Sequence, residues 1–497
     1  MRYATTASDS KNWLYYIKKH FNYVRWKNMK KSISLLCVVL LTLSILTGCT
    51  SNAPNAPASS SNPPSGAGSQ SGKPDSSSKQ PTNLYFYAWT LENNMTELIN
   101  QFNKDYEGKY KLVYKKLNDA ATMTINTALA SGEQIDVMTQ ANAFDLRTRA
   151  DSGNYLPLNE FFDKMGTTYA KVFGNGIEAT QNINGKYYSI PYCRNIQMVY
   201  FNKKMFDKAG VKYPDPNWTW EDFRETARKL TSGSGANKVY GAMADFENEY
   251  WREIAMQKLG EFWFYNKDFT ATKFENPAIK ESLQYWYDLA RVDKSVVPLD
   301  EYKALKYNND TNGMIGLYQG KYAMFIVPVY GCLYLDEGYG KIPEGTDIGL
   351  TNMPSPAGRS KPVTTLYTST MSIPANTKNK EGAWTLMKYV GIDRADLFAG
   401  PKAMHPGYSF ANKEQELAFN KIIFKHPGLD IDMSLKVMAV DRDLVSEDNT
   451  IVQGQAEINE LIKANISRVF NGEMSVDDCI KDFKTKGDAA VAKMLKK

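Results

Sequence analysis

From about residue 83 onward, the apolar positions of this chain switch between two periods. "NLYFYAW" (83–89) is a strand-like aromatic run. In the following "NMTELINQFNKDYEGKYKL", Met95, Leu98, Ile99 and Phe102 fall at helical spacing. "YKLVYKKL" reads as a second strand, "MTINTALASGE" as a short helix and "IDVMTQA" as a third strand. "NYLPLNEFF" turns into another helix. A β-α-β-α-β opening predicts a mostly parallel sheet with helices on both faces. "GKYYSIPYCRNIQMVYFN" (185–202) breaks the alternation with an extended or hairpin-like segment. The helix "KKMFDKAG" follows, with Gly210 as its stop. "TWEDFRETARKLT" offers Thr219 as N-cap and Asp222 three residues on, a capping-box entry. Further helices are predicted over 250–259, 277–291, 381–390, 453–470 and 476–495, and strands in "KYAMFIVPVY" and "DIGLTNMPSP". No internal repeat is visible.

The amino end follows a different pattern. "MKKSISLLCVVLLTLSILTGC" (29–49) has a basic start, an apolar centre and a small-residue end, the layout of a bacterial secretory signal. Its apolar run, 33–46, is shorter than the ~20 residues that a membrane-spanning helix needs, which disfavours a plain anchor. "LTGC" resembles the lipobox of bacterial lipoproteins; this implies cleavage before Cys49 and a lipid thioether on its sulfur. Residues 1–28 form a doubtful N-terminal extension, because Met29 is also a credible start. Residues 49–82 are Ser, Pro, Gly and Asn with almost nothing apolar, the composition of a disordered tether. Together these describe a protein held by lipid at the cell membrane, facing the extracellular side or the periplasm.

Charge changes the picture little. The net +6 arises in residues 1–48, where Arg2, Lys11, Lys18, Lys19, Arg25, Lys27, Lys30 and Lys31 stand against Asp9 alone. The remainder is close to neutral, so no basic surface calls for a nucleic-acid partner. Cys193, Cys332 and Cys479 lie far apart with no CxxC or Cys/His spacing. Buried free thiols are expected, with a Cys193–Cys332 bridge as the alternative. Three histidines, His20, His405 and His426, leave little for a metal site. "TSGSGANK" (231–238) lacks the Lys-Ser/Thr of a phosphate-binding loop and reads as an ordinary loop, so no cofactor is expected. The 31 Tyr, 22 Phe and 9 Trp fit either a Tyr-rich core or a surface that stacks on something flat.

Six segments in order carry a family resemblance. "VYFNKKMFDKAGVKYPDPNWTWEDFRETARKLT", "GKYYSIPY", "YQGKYAMFIVPVY", "DIGLTNMPSPAGR", "SIPANTKNKEGAWTLMKYV" and "INELIKANISRVFNGEMSVDDCIKDF" resemble the bacterial extracellular solute-binding proteins of family 1, the maltodextrin-binding group. The resemblance implies an α/β, two-lobed periplasmic-binding-protein-like fold (type II), its lobes joined by crossover hinge segments near 192–197, 327–330 and 371–375. The lobes would be 83–193 plus 329–374, and 194–328 plus 375–497. It further implies a monomer that captures a sugar or oligosaccharide in the interlobe cleft and delivers it to the permease subunits of an ABC importer. The alternatives are a secreted glycosidase or lyase, which needs a carboxylate pair such as Glu247 with Glu249, and a binding protein for a non-sugar solute.

A sugar offers an apolar face for aromatic rings and a hydroxyl edge for planar polar groups. The candidate ligand contacts are therefore Trp89 and Glu92 after the first strand, Gln140 and Asn142 after the third, and Tyr192 and Arg194 at the first crossover. Glu249 with either Tyr250 or Trp251, Tyr330 at the end of "FIVPVY" (where the family commonly has Trp), and Tyr367 in "TTLYTST" complete the set. Trp218 and Trp220, in a proline-broken loop, resemble the family's packing corner, and Trp220 is read as structural. Arg359 is read as part of a solvated loop.

Overall fold

A computed structural model describes residues 80–88, 95–117, 121–140, 145–245, 250–307, 310–336, 338–447 and 455–496. Ten strands are linked in the order β2-β1-β3-β8-β4-β6-β5, with β7 and β9 added on β4 and β10 on β8. They are β1 (Thr82–Ala88), β2 (Tyr110–Lys116), β3 (Val137–Thr139), β4 (Ile190–Asn202), β5 (Tyr240–Met243), β6 (Tyr322–Pro328), β7 (Ile348–Asn352), β8 (Val363–Ser372), β9 (His405–Pro406) and β10 (Asp443–Ser446). The opening alternation gives the expected parallel set, with β1 between β2 and β3. Beyond it the sheet is mixed: β8 runs antiparallel to β3, and β4 antiparallel to β6, β7, β8 and β9. Parallel pairing recurs between β5 and β6 and between β10 and β8, but the antiparallel pairs of β4 make the whole a mixed sheet rather than the mostly parallel one predicted from the opening.

β4 organises the molecule. Its first half, through Ile196, pairs with β8; from Gln197 on it pairs with β6 and then also with β7. All but Arg194 of its 13 residues are buried, as a strand covered on both faces requires. The pairing partner of β4 thus changes between Ile196 and Gln197, past the lobe boundary expected at 193/194. The other two boundaries move. After β6 the chain stays beside β4's second half and supplies β7. It returns to β8 between Asn352 and Val363, not at 327–330 or 371–375. The helix Lys380–Lys388 then packs on β1 and β3, so residues just past 375 belong with the first strands rather than the second lobe.

Both faces of β1 are buried. Leu84, Phe86 and Ala88 point into the main core, and Tyr87 points into a smaller cluster with Ile125, Met138 and Tyr155. In the other half, helix Trp220–Leu230 packs on β5 and β6, and Asp310–Tyr318 packs on β6. The C-terminal helices Gln455–Asn471 and Val476–Leu495 pair with each other, and the latter also packs on Pro277–Tyr287. The predicted capping box forms: Thr219 Oγ1 accepts from Asp222 N, and Asp222 accepts from Thr219 N at 2.8 Å. Gly210 ends its helix in the left-handed region at φ 65°. Cys193, Cys332 and Cys479 are buried free thiols; the alternative bridge is absent. Among the described residues no helix is long and apolar enough to cross a membrane.

Candidate functional site

In open sheets with crossovers, ligands gather at strand ends where the strand order changes direction. Here that place is the middle of β4, and polar side chains converge on it. Tyr250 Oη donates to Gln197 Oε1 at 3.0 Å, and Gln197 Nε2 donates to Glu447 Oε1 at 3.3 Å. Arg252 Nη2 closes the chain on Glu447 Oε2 at 2.6 Å. Glu447 directly follows β10, whereas Gln197 begins the half of β4 paired to β6, so this network ties the two halves of the sheet together. Thr365 Oγ1 on β8 bonds both oxygens of the fully buried Glu253 at 2.9 and 2.7 Å.

Beside this network lies an aromatic and acidic cluster. β6 ends at Pro328 and runs into a 3-10 turn, Val329–Leu335. Two backbone bonds pin that turn to β4: Tyr200 Oη donates to Val329 O at 2.5 Å and accepts from Cys332 N at 3.2 Å. Gly331 permits the close approach, since a Cβ there would stand 2.7 Å from Val327 Cγ1. The turn presents Tyr330 and Tyr334, rings 6.2 Å apart and nearly perpendicular. Tyr339 stands at 86° to Tyr334 with centroids at 5.2 Å. Tyr330 Oη lies 3.1 Å from Tyr367 Oη and donates to Asp310 Oδ2 at 2.9 Å. Tyr367 sits on β8 opposite Asn195, one residue from the switch of β4. Burial pushes the Asp310 carboxyl up to about 6; the Tyr330 hydrogen bond opposes this and the Asp245 charge adds to it. Among the described residues no cationic side chain pairs with Asp310.

Of the residues expected at a ligand, Tyr330 and Tyr367 are the two brought together. Trp89, Glu92, Asn142 and Glu249 lie outside the described residues, as do Glu247 and Cys49. Trp251 has no exposed surface; it packs against Trp263 and Phe483 in the core, which corrects the stacking role expected of it. Tyr250 is also buried and its hydroxyl is committed to Gln197. Tyr192 is enclosed against Phe398, with the buried Lys402 ammonium 5.2 Å above its ring, so it too is a packing residue. Arg194 faces away from the tyrosine cluster's partners. Its Nε donates to Gly407 O at 2.9 Å and its Nη2 to Phe173 O and Ser409 Oγ at 3.0 and 2.9 Å, in a cavity of about 160 Å³. Gln140 is held within the first lobe: it donates to Ser372 Oγ at 2.5 Å and accepts from Tyr155 Oη at 2.8 Å. Arg359 lies in a partly exposed loop, where it forms an ion pair with Asp443.

Asp310, Tyr334 and Tyr339 escaped the reading of the sequence. A usable signal was present in "VYGCLYLDEGYG": three tyrosines, at 330, 334 and 339, fall close together directly after a strand. Asp310 carried no comparable local signal.

Two sheet halves sharing one long strand, with an aromatic and polar cluster at the shared point, define a two-lobed ligand-binding protein. The sequence profile of the bacterial extracellular solute-binding protein family matches residues 88–393, more than half of the chain, and the chain belongs to that family. A putative binding protein of Brucella abortus is 24% identical over 318 residues, 63% of this chain and 69% of the relative. The multiple sugar-binding protein of Streptococcus mutans is 25% identical over 203 residues, covering 40% of this chain and 41% of the relative. The sn-glycerol-3-phosphate-binding periplasmic protein of Rhizobium meliloti is 30% identical over 158 residues, 30% of this chain and 36% of the relative. Among solved structures, a sugar transporter from Rhizobium etli in an open conformation superposes with a TM-score of 0.66. It is 23% identical, covering 82% of this chain and 99% of that one. An ABC substrate-binding protein from Listeria monocytogenes in complex with cycloalternan gives 0.65 at 18% identity, covering 84% and 99%. These likenesses establish the two-lobed binding-protein fold.

Proposed function

We propose that this protein captures a sugar or oligosaccharide between its two lobes and delivers it to the permease of an ATP-driven importer. The observation that carries this reading is the tyrosine cluster Tyr330, Tyr334, Tyr339 and Tyr367 at the switch point of β4, in a member of a solute-binding family. Aromatic faces and hydroxyl edges are what a saccharide presents for recognition. The names of the Streptococcus mutans relative, a multiple sugar-binding protein, and of the Rhizobium etli structure, a sugar transporter, support the same class. Tyr330 and Tyr367 are the proposed contacts among the described residues; Trp89, Glu92, Asn142 and Glu249 remain proposed contacts by sequence. The protein acts by binding, as a monomer and without catalysis. It is anchored by lipid on Cys49 after removal of the signal 29–48, with 49–82 as tether.

Thermal-shift screening of the soluble body against neutral mono- and oligosaccharides tests the ligand class. A ligand at 100 times its dissociation constant stabilises by ~2.7 kcal/mol, which is readily seen. A shift with a peptide and none with any saccharide would sink the sugar reading. Chromophore release from nitrophenyl glycosides would sink the non-catalytic one. For the anchor, metabolic labelling with a palmitate analogue should mark the wild-type protein and not Cys49→Ala.

A further inference from the structure

We propose that the bound solute carries a protonated nitrogen, as an amino sugar does, and that Asp310 and the tyrosine walls around it select for that charge. The inference rests on the reading of this cluster as the ligand site. Asp310 is a partly desolvated carboxylate that, among the described residues, accepts only from the Tyr330 hydroxyl. A buried carboxylate is ordinarily paired with a cation, because leaving its charge uncompensated in a low-dielectric surround is costly. The described residues supply none. The second carboxylate whose charge reaches it, Asp245, is of the same sign.

The aromatic geometry points to the same chemistry. Tyr330 stands at 83° to Tyr334, and Tyr334 at 86° to Tyr339, so the three rings form walls at right angles rather than a flat stack. Ring faces attract cations through their quadrupole, and orthogonal aromatic walls beside a carboxylate are the usual recognition element for an ammonium group. A flat stacking platform would serve a neutral pyranose equally well; a corner of rings closed by a carboxylate does not. The same features disfavour an anionic solute such as a uronate or a sugar phosphate, whose charge would meet that of Asp310.

Calorimetry and thermal shift on the protein from Cys49 onward test this. The probes are a glucosamine oligomer, its N-acetylated counterpart, a glucuronate oligomer and tetramethylammonium. The amine form should bind about tenfold or more tightly than the N-acetyl form, and the uronate weakest. Asp310→Asn should bring the amine-to-acetyl ratio towards one. Tyr339→Leu should lower it about two- to fivefold, a check that does not depend on the carboxylate. Equal or tighter binding of the N-acetyl oligomer, or preference for the uronate, overturns the cation inference while leaving the sugar reading intact. Binding of tetramethylammonium with no saccharide bound upholds the cation inference and overturns the sugar reading. Absence of binding by both amines overturns the inference whatever neutral sugars do.

Discussion

Two aromatic regions of this molecule have similar compositions and opposite physics. The corner around Trp218 and Trp220 buries both indoles and satisfies both of their N–H groups. Trp218 Nε1 donates to Asn352 O at 2.8 Å and Trp220 Nε1 to Gln257 Oε1 at 2.7 Å. Their rings pack at steep angles against Phe223, Tyr285 and Trp286. The cluster of Tyr330, Tyr334, Tyr339 and Tyr367 is half-buried instead; the Tyr330 hydroxyl meets that of Tyr367 and the Asp310 carboxylate, with which no cationic side chain among the described residues pairs. A region whose two central indole N–H groups are bonded within the chain stabilises the fold. A region that keeps unspent polarity in a partly dry place is prepared for something that is not part of the chain.

The sharpest way to break that comparison is Trp220→Ala. Deleting a buried indole leaves a cavity and should lower unfolding free energy by ~3–5 kcal/mol. Ligand affinity of the remaining folded protein should stay nearly unchanged, read by denaturant titration and calorimetry. Tyr330→Ala should do the reverse: a loss in affinity of about tenfold or more, with a smaller stability loss than Trp220→Ala. If both substitutions moved the same observable, the division into a packing corner and a ligand cluster would collapse.

Asp310→Asn sharpens the contrast through pH. Burial raises the folded carboxyl from 3.8 to about 6, so the folded state holds its proton more tightly than the unfolded chain does. The stability contributed by that proton is present below about 4 and is lost as pH rises through about 6. The amide never ionises, so at pH 7.5 the variant should be more stable than wild type by ~1–3 kcal/mol, with the gain fading as pH falls towards 4. Melting curves across that range check the sign; a destabilised variant at neutral pH would show that the Asp310 charge is compensated after all. The smallest effect is expected for Tyr250→Phe. It removes one buried hydroxyl from Gln197 and should lower stability by about 0.5–1.5 kcal/mol.

Much of the architecture was legible in the pattern of residues. The first three strands, the Thr219 capping box, the Gly210 stop and the helix Val476–Leu495 all rest on signals within a few residues of one another. Site residues fared worse for a physical reason. Trp251, Tyr192 and Tyr330 are all large aromatics near element ends, and nothing local distinguishes them. Trp251 meets Trp263 and Phe483. Tyr192 meets Phe398. Tyr330 meets a carboxylate 20 residues away and a hydroxyl 37 residues away.

The sequence by itself determined the family, the α/β class and the structural part played by Trp220. Each depends on short-range spacing or on the order of motifs along the chain. Only the tertiary structure decided where the chain passes between the sheet halves, because strand pairing is a long-range choice: β7 joins the second half of β4 and β8 the first. It also decided which aromatics became core and which became a polar corner. That outcome depends on what each ring meets after folding: Tyr330 reaches Asp310 on one side and Tyr367 on the other only when β6 and β8 are laid beside β4.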